Sequence, residues 1–222
     1  MRSYNEYCAI AKSLDVIGDR WTLLIIRELA MRGSCRYTDL RNGLPGIATN
    51  LLADRLRELE QAGVVAREDA PPPIATTLFS LTERGEQLRP VLDDLMRWGL
   101  PLMTERKPDD AVRSHWLAGA LDTMLTDHEP GQPSITVELR TGDEPIVIQA
   151  REGRVETRLG AASDPDVILA GEPRPILGLL LGLLDLAGAK AAGVQLTGAP
   201  GPIERFRATG SDLAGQLAQR TL

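Results

Sequence analysis

Two cysteines in 222 residues, Cys8 and Cys35, are too few for a disulfide framework. The first residues lack the charged, apolar and small-residue succession of an export signal, so the chain is expected in the cytoplasm. The most apolar run, Ile176 to Leu184, is far shorter than a bilayer span and is interrupted by Gly178 and Gly182, so no membrane partner is expected. His115 and His128 stand apart without metal-ligand spacing, no glycine loop suits a phosphate, and no Ser or Cys has a base beside it. Acidic pairs such as Asp93 and Asp94 read as solvated helix faces. No enzyme, metal site or cofactor is therefore expected. A basic excess is missing as well: residues 1 to 107 hold 15 Lys or Arg against 15 Asp or Glu, and residues 108 to 222 hold 10 against 16, giving the net charge of −6. Any contact with a polyanion must then come from local clustering of arginine.

What is present is ordinary for a globular protein, 43% hydrophobic and 25% charged. Lys107 to Asp110, a polar break containing Pro108, suggests two domains, 1–107 and 108–222.

The first is organised around Tyr37 to Gly63, YTDLRNGLPGIATNLLADRLRELEQAG. A short helix closes at Leu40, the cluster Asn42, Gly43, Pro45 and Gly46 breaks the chain, and good helix formers run on from near Ala48 until Gly63 stops them. At roughly 100° per residue, Leu52, Leu56 and Leu59 share one sector of the second helix, with Leu51, Arg55 and Ala62 at its edge. Thr49, Asn50, Ala53, Asp54 and Arg57 point the other way. Such a helix suits a DNA major groove, where Asn and Arg read base edges, and taken alone it equally suits an amphipathic surface helix.

The flanks add to this. Tyr4 to Ile17 reads as a helix ended by Gly18, and Trp21 to Met31 as a helix apolar nearly all round, suited to the centre of a core. Val64 to Arg67 and Thr76 to Leu81 are strand candidates around Ala70 to Pro73, which fits neither helix nor central strand, and together they make a wing. Thr82 can cap a long helix through Trp98, stopped by Gly99 and Pro101. Its apolar surface exceeds what one small domain covers and points to a second subunit.

The segments CAIAKSLDVIGDRWTLLIIREL, RYTDLRNGLPGIATNLLADRLRELEQAGVV and FSLTERGEQLRPVLDDLMRWG resemble the HxlR subgroup of MarR-like winged-helix transcription regulators. The resemblance implies a homodimer joined by its first and last helices, with each recognition helix in one major groove of double-stranded DNA carrying an inverted-repeat operator. It also implies DNA-binding roles for Arg20, Arg36, Thr49, Asn50 and Arg57, the first two on phosphates; Ala53 lies on the same outward face. Two features depart from the family: the position of Asn50 more often carries Lys or Arg, and the wing is usually more basic than Ala70 to Thr77. Cys8 matches by position an N-terminal cysteine that serves some members as a redox sensor; it also reads as a small buried hydrophobe, and nearby Glu6 opposes thiol activation.

In the second half, Asp109 or Asp110 can cap a helix to about Leu125. Ile135 to Arg140, Ile146 to Arg151, Arg154 to Leu159 and Val167 to Ala170 read as an antiparallel meander. Arg174 to Leu184 reads as an apolar helix, Gly193 to Leu196 as a last strand, and Pro202 to Thr209 and Ser211 to Gln219 as closing helices. Strands grouped before helices indicate α+β, with an antiparallel-type sheet covered by helices. The run PDVILAG, then PILGLLLGLLDLAGAKAAGVQLTG, resembles the sterol carrier protein type two-like fold. The resemblance implies a cavity for an apolar small-molecule effector, with Val147, Val155, Ile176, Leu180 and Leu184 as candidate lining; a leucine stripe at helical spacing equally fills a core.

The reading that results is a transcriptional repressor responsive to an apolar effector. Its rivals are a lipid or hydrophobic-metabolite carrier that uses the winged helix for dimerisation only, and a regulator whose second domain is structural.

Overall fold

Asp15 decides where the first helix begins. Its carboxylate accepts hydrogen bonds from the Ser3 hydroxyl (3.0 Å) and the Tyr4 backbone N–H (2.9 Å), folding the N-terminal segment back with Asn5 at φ 57°. Helix α1 therefore spans Ala9–Ile17 and does not start at Tyr4. The computed structural model describes residues 3–71, 76–99, 102, 103, 107 and 109–206. The chain divides into two compact units, Met1–Arg97 and Trp98–Leu222.

In the first unit, α2 (Thr22–Arg32) buries Ile25, Ile26 and Leu29 and turns Leu24 to solvent. Strand β1 (Cys35–Arg36) leads into α3 (Tyr37–Gly43). This helix runs through Asn42 and Gly43, which the sequence pattern placed in the break after Leu40. A Cβ at position 43 would lie 2.0 Å from Glu28 Oε2, so this glycine serves the close approach of α3 to α2. Glu28 is fully buried and is held by Arg27 (2.8 Å) and Arg32 (3.3 Å).

Helix α4 (Thr49–Gln61) ends before Gly63, which takes φ 68°, as a C′ glycine does. Strands β2 (Val65–Ala70) and β3 (Thr76–Leu81) pair antiparallel, and the small sheet has the order β1-β3-β2. Strand β2 runs on past Arg67, where the strand candidate ended, to Ala70, which pairs with Thr76 at the edge of the sheet; Pro73 lies outside the described residues. The Thr82 hydroxyl accepts the Gly85 N–H (3.1 Å) and caps α5 (Glu83–Glu86). The expected long helix is thus two, because Pro90 has no N–H for the Glu86 carbonyl; α6 (Arg89–Gly99) starts afresh. The core joins Leu40 and Leu44 to Leu52, Leu56 and Leu59 and to Phe79 of the wing.

In the second unit, α7 (Ser114–Met124) begins where the turn near Asp143 holds it: the Ser114 N–H donates to the Asp143 carboxylate (2.7 Å), and its hydroxyl accepts the Asp143 and Glu144 N–H groups. Strands β4 (Ile135–Arg140), β5 (Ile146–Arg151), β6 (Arg154–Leu159) and β7 (Val167–Ala170) fall where alternation placed them. Helix α8 (Pro173–Leu180) stops early, because the Leu183 and Leu184 N–H groups turn back to the Gly178 carbonyl (2.8 and 2.9 Å). A helix not foreseen, α9 (Leu186–Ala191), is capped by Asp185, and β8 (Gln195–Gly198) and α10 (Gly201–Glu204) follow. The helix expected over Ser211 to Gln219 lies outside the described residues, as do residues 207–209.

The five strands run β6-β5-β4-β7-β8. The first three form the expected meander, but β7 pairs parallel with β4, so the sheet is mixed. The link between β6 and β7 carries the chain back: the Glu138 carboxylate accepts the Ala162 N–H, and the Asp166 carboxylate accepts the Thr136 N–H (both 2.7 Å). The unit is α+β, with Leu121, Ile176, Leu180 and Phe206 packing on Val137, Ile148 and Leu169 of one sheet face. A buried ion pair closes it. Arg205 grips Asp127 through Nε–Oδ1 (2.6 Å) and Nη2–Oδ2 (2.8 Å) and donates to the Pro133 carbonyl, while Asp127 also accepts the Glu129 and Gly153 N–H groups.

Candidate nucleic-acid interface

Leu52, Leu56 and Leu59 fix how α4 sits, since all three are buried against the core. The period of the helix then leaves Thr49, Asn50 and Arg57 exposed on the opposite side, with Ala53 half-buried between them. Arg57 pairs with Asp54 (3.0 Å), both more than half exposed. An exposed pair of this kind contributes little to stability, so Arg57 can exchange Asp54 for another acceptor at small cost. The first turn of α4 has no side-chain cap and no acidic residue, and its backbone N–H groups and positive dipole end favour an anion.

Arg20 and Arg36 enter from other elements. Arg36 is exposed, and its backbone is pinned by pairing with Leu78 and by an N–H bond to the Asp39 carboxylate (3.0 Å). Arg20 lies exposed in the turn before α2, its guanidinium 5.9 Å from the centre of the Trp21 ring. Asp19 of the same turn pairs with Arg55 of α4. The Tyr37 hydroxyl donates to the Thr49 carbonyl (2.6 Å) and ties α3 to the start of α4. Sequence reasoning missed both ties: Arg55 sits at the edge of the leucine sector and Tyr37 at the first position of α3, and nothing in spacing reports what a side-chain tip reaches.

Residues 16–107 match the profile of the HxlR-like helix-turn-helix family. The HTH-type transcriptional regulator YvaP of Bacillus subtilis (strain 168) is 36% identical over 95 residues, covering 42% of this chain and 87% of YvaP. The chain belongs to the HxlR-like helix-turn-helix family. YodB, an HTH-type transcriptional regulator of the same organism, is 35% identical over 42% of this chain and 84% of its own length. The reduced form of YodB from B. subtilis matches at a TM-score of 0.39, with 31% identity over 46% of this chain and all of that one. As an HxlR-like protein the chain is an HTH-type transcriptional regulator, and its relatives are regulators, not enzymes. The family match contains α2 through the wing and ends at residue 107; Cys8 and the second unit's sheet lie outside it.

Cys8 is exposed at the N-cap of α1, not buried, and the Ala11 and Ile10 backbone N–H groups there lower its thiol pKa. Burial pushes the Cys35 thiol the other way, up to about 11. In the second unit of this HxlR-like chain, Val155, Ile176, Leu180 and Leu184 belong to one apolar cluster. Val147 does not join them. It pairs with Glu138 and Arg158, and so points to the reverse face of the sheet, whereas Val155 pairs with Ala150 of the core face. Among the described residues no helix is long and apolar enough to cross a membrane, and no group of three or more His, Cys, Asp or Glu could hold a metal ion.

Proposed function

We propose that the chain is a homodimeric repressor whose recognition helix α4 reads an inverted-repeat operator in double-stranded DNA. The observation that carries this is the division of α4 into a buried leucine side and an exposed Thr49, Asn50 and Arg57 side above an uncapped N-terminus. Arg57 and Asn50 then contact bases, and Arg20 and Arg36 contact phosphates. The exposed Ile10 and Leu14 of α1 and Val91, Leu95 and Trp98 of α6 support a dimer built on the first and last helices of the winged domain. The test is binding to duplex DNA from upstream of the chain's own gene at rising salt. Affinity is expected to fall steeply with salt. Arg57→Ala should weaken binding to that DNA by about 1–3 kcal/mol while sparing random sequence, and Arg20→Ala should weaken both evenly. Absence of any salt-dependent binding would favour the carrier reading.

The same proposal assigns residues 1–107 to DNA binding and dimerisation and 108–222 to a sterol carrier protein type two-like domain for an apolar effector. The apolar helix α8 against one sheet face supports it, with Val155, Ile176, Leu180 and Leu184 as lining. Native mass spectrometry of protein taken from cells is expected to show a co-purified apolar molecule; bare protein, or a ligand without effect on DNA affinity, would leave the domain structural.

Cys8 supports a second input. Its exposure and lowered thiol pKa suit oxidation. After mild peroxide, mass spectrometry should find Cys8 modified and Cys35 intact; an unmodified Cys8 would remove redox sensing.

A further inference from the structure

Arg55 stands on α4 but not on its outward side. Its side chain is 21% exposed, and its guanidinium is shared between the carboxylates of Asp19 and Glu58. Asp19 belongs to the turn between α1 and α2, closed by backbone bonds from Gly18 to the Leu14 carbonyl (2.9 Å) and from Thr22 to the Asp19 carbonyl (3.0 Å). The next residue is Arg20. With two carboxylates around it, Arg55 is already neutralised and makes a poor phosphate ligand. Half-exposed ion pairs add little to fold stability, which leaves the fixing of position as the effect of this one. Both carboxylates meet the same guanidinium nitrogen, Nη1, so that the Asp19 turn and the Glu58 turn of α4 converge on one point.

We propose that Arg55 is a positioning residue for DNA binding: through Asp19 it locks the turn that carries Arg20 to the recognition helix. The phosphate-contacting arginine and the outward side of α4 then meet a duplex as one preset clamp, and little ordering is left to be done on binding. Arg55 acts this way only if the outward side of α4 is a DNA surface, as proposed above.

Asp19→Asn separates this role from plain electrostatics. Removing an acidic group beside a polyanion should by itself tighten binding, whereas releasing the Arg20 turn should weaken it. Binding of the full chain to a mixed-sequence duplex over a range of salt concentrations is the measurement. Arg20→Ala is expected to lower the slope of log K against log salt by about one for each bound subunit. Asp19→Asn and Arg55→Ala should each weaken binding severalfold with a similar loss of slope, and neither should add to the loss in an Arg20→Ala background. Unchanged or tighter binding by Asp19→Asn, or losses for Arg55→Ala that add to those of Arg20→Ala, would overturn the role. Wild-type protein that binds no duplex would instead remove the DNA reading and this role with it.

Discussion

Asp127→Ala is expected to remove about 3–5 kcal/mol from the stability of the C-terminal unit, because it leaves the Arg205 guanidinium buried without its counter-charge. The pair's side chains are 5% and 0% exposed, and Asp127 also anchors the backbone at Glu129 and Gly153. One carboxylate thus joins the loop before β4, the β5–β6 turn and the segment after β8. Urea unfolding of the full chain should show the transition of this unit displaced, with that of the winged unit unmoved. Replacing both partners by apolar residues, Asp127→Leu with Arg205→Met, should recover only the part of the loss due to the unpaired charge, because the Glu129 and Gly153 N–H groups and the Pro133 carbonyl still lose their partners. The dependence on pH has a definite sign. The hydrogen bonds from Arg205, ahead of those from the backbone, hold the Asp127 carboxyl at about 2 against an ordinary 3.8. Its contribution is therefore complete above the ordinary value and disappears as pH falls through 3.8 toward 2. The difference between wild type and Asp127→Ala should be flat from neutrality to about pH 5 and close below it.

Leu52→Ala should destabilise the winged unit by about 2–5 kcal/mol and abolish DNA binding with it. Leu52 is fully buried on the inner side of α4, and its loss opens a cavity where the recognition helix is seated. Asn50→Ala, two residues away but exposed, should change stability by no more than about 0.5 kcal/mol. Similar stability losses for both would mean that α4 is not divided into a seated and a free side.

That division was legible in the sequence because it needs only the helical period and the stop at Gly63. The core strands of the second unit were legible for the same reason, since alternation sets both position and face. What failed had causes outside the local pattern. Gly43 reads as a breaker until the buried Glu28 carboxylate facing it is known. The parallel pairing of β7 with β4 depends on the return link held by Glu138 and Asp166, and hydrophobicity carries no record of strand direction. Two errors could have been avoided from sequence. Pro90 marks the break between α5 and α6. The two-residue turn Glu152-Gly153, both at positive φ, sets Ala150 opposite Val155, so that Val147 and Val155 must face opposite ways. Of the candidate interface, the exposed residues were foreseen, while the ties from Arg55 and Tyr37 had to be seen.

Arginine-selective modification with phenylglyoxal, mapped by mass spectrometry with and without bound duplex, tests the orientation of α4 most directly. Arg57 is 63% exposed in the free chain and should react readily there. On DNA, Arg57, Arg20 and Arg36 should become protected. An Arg57 that reacts equally in free protein and in a saturated complex would contradict the account.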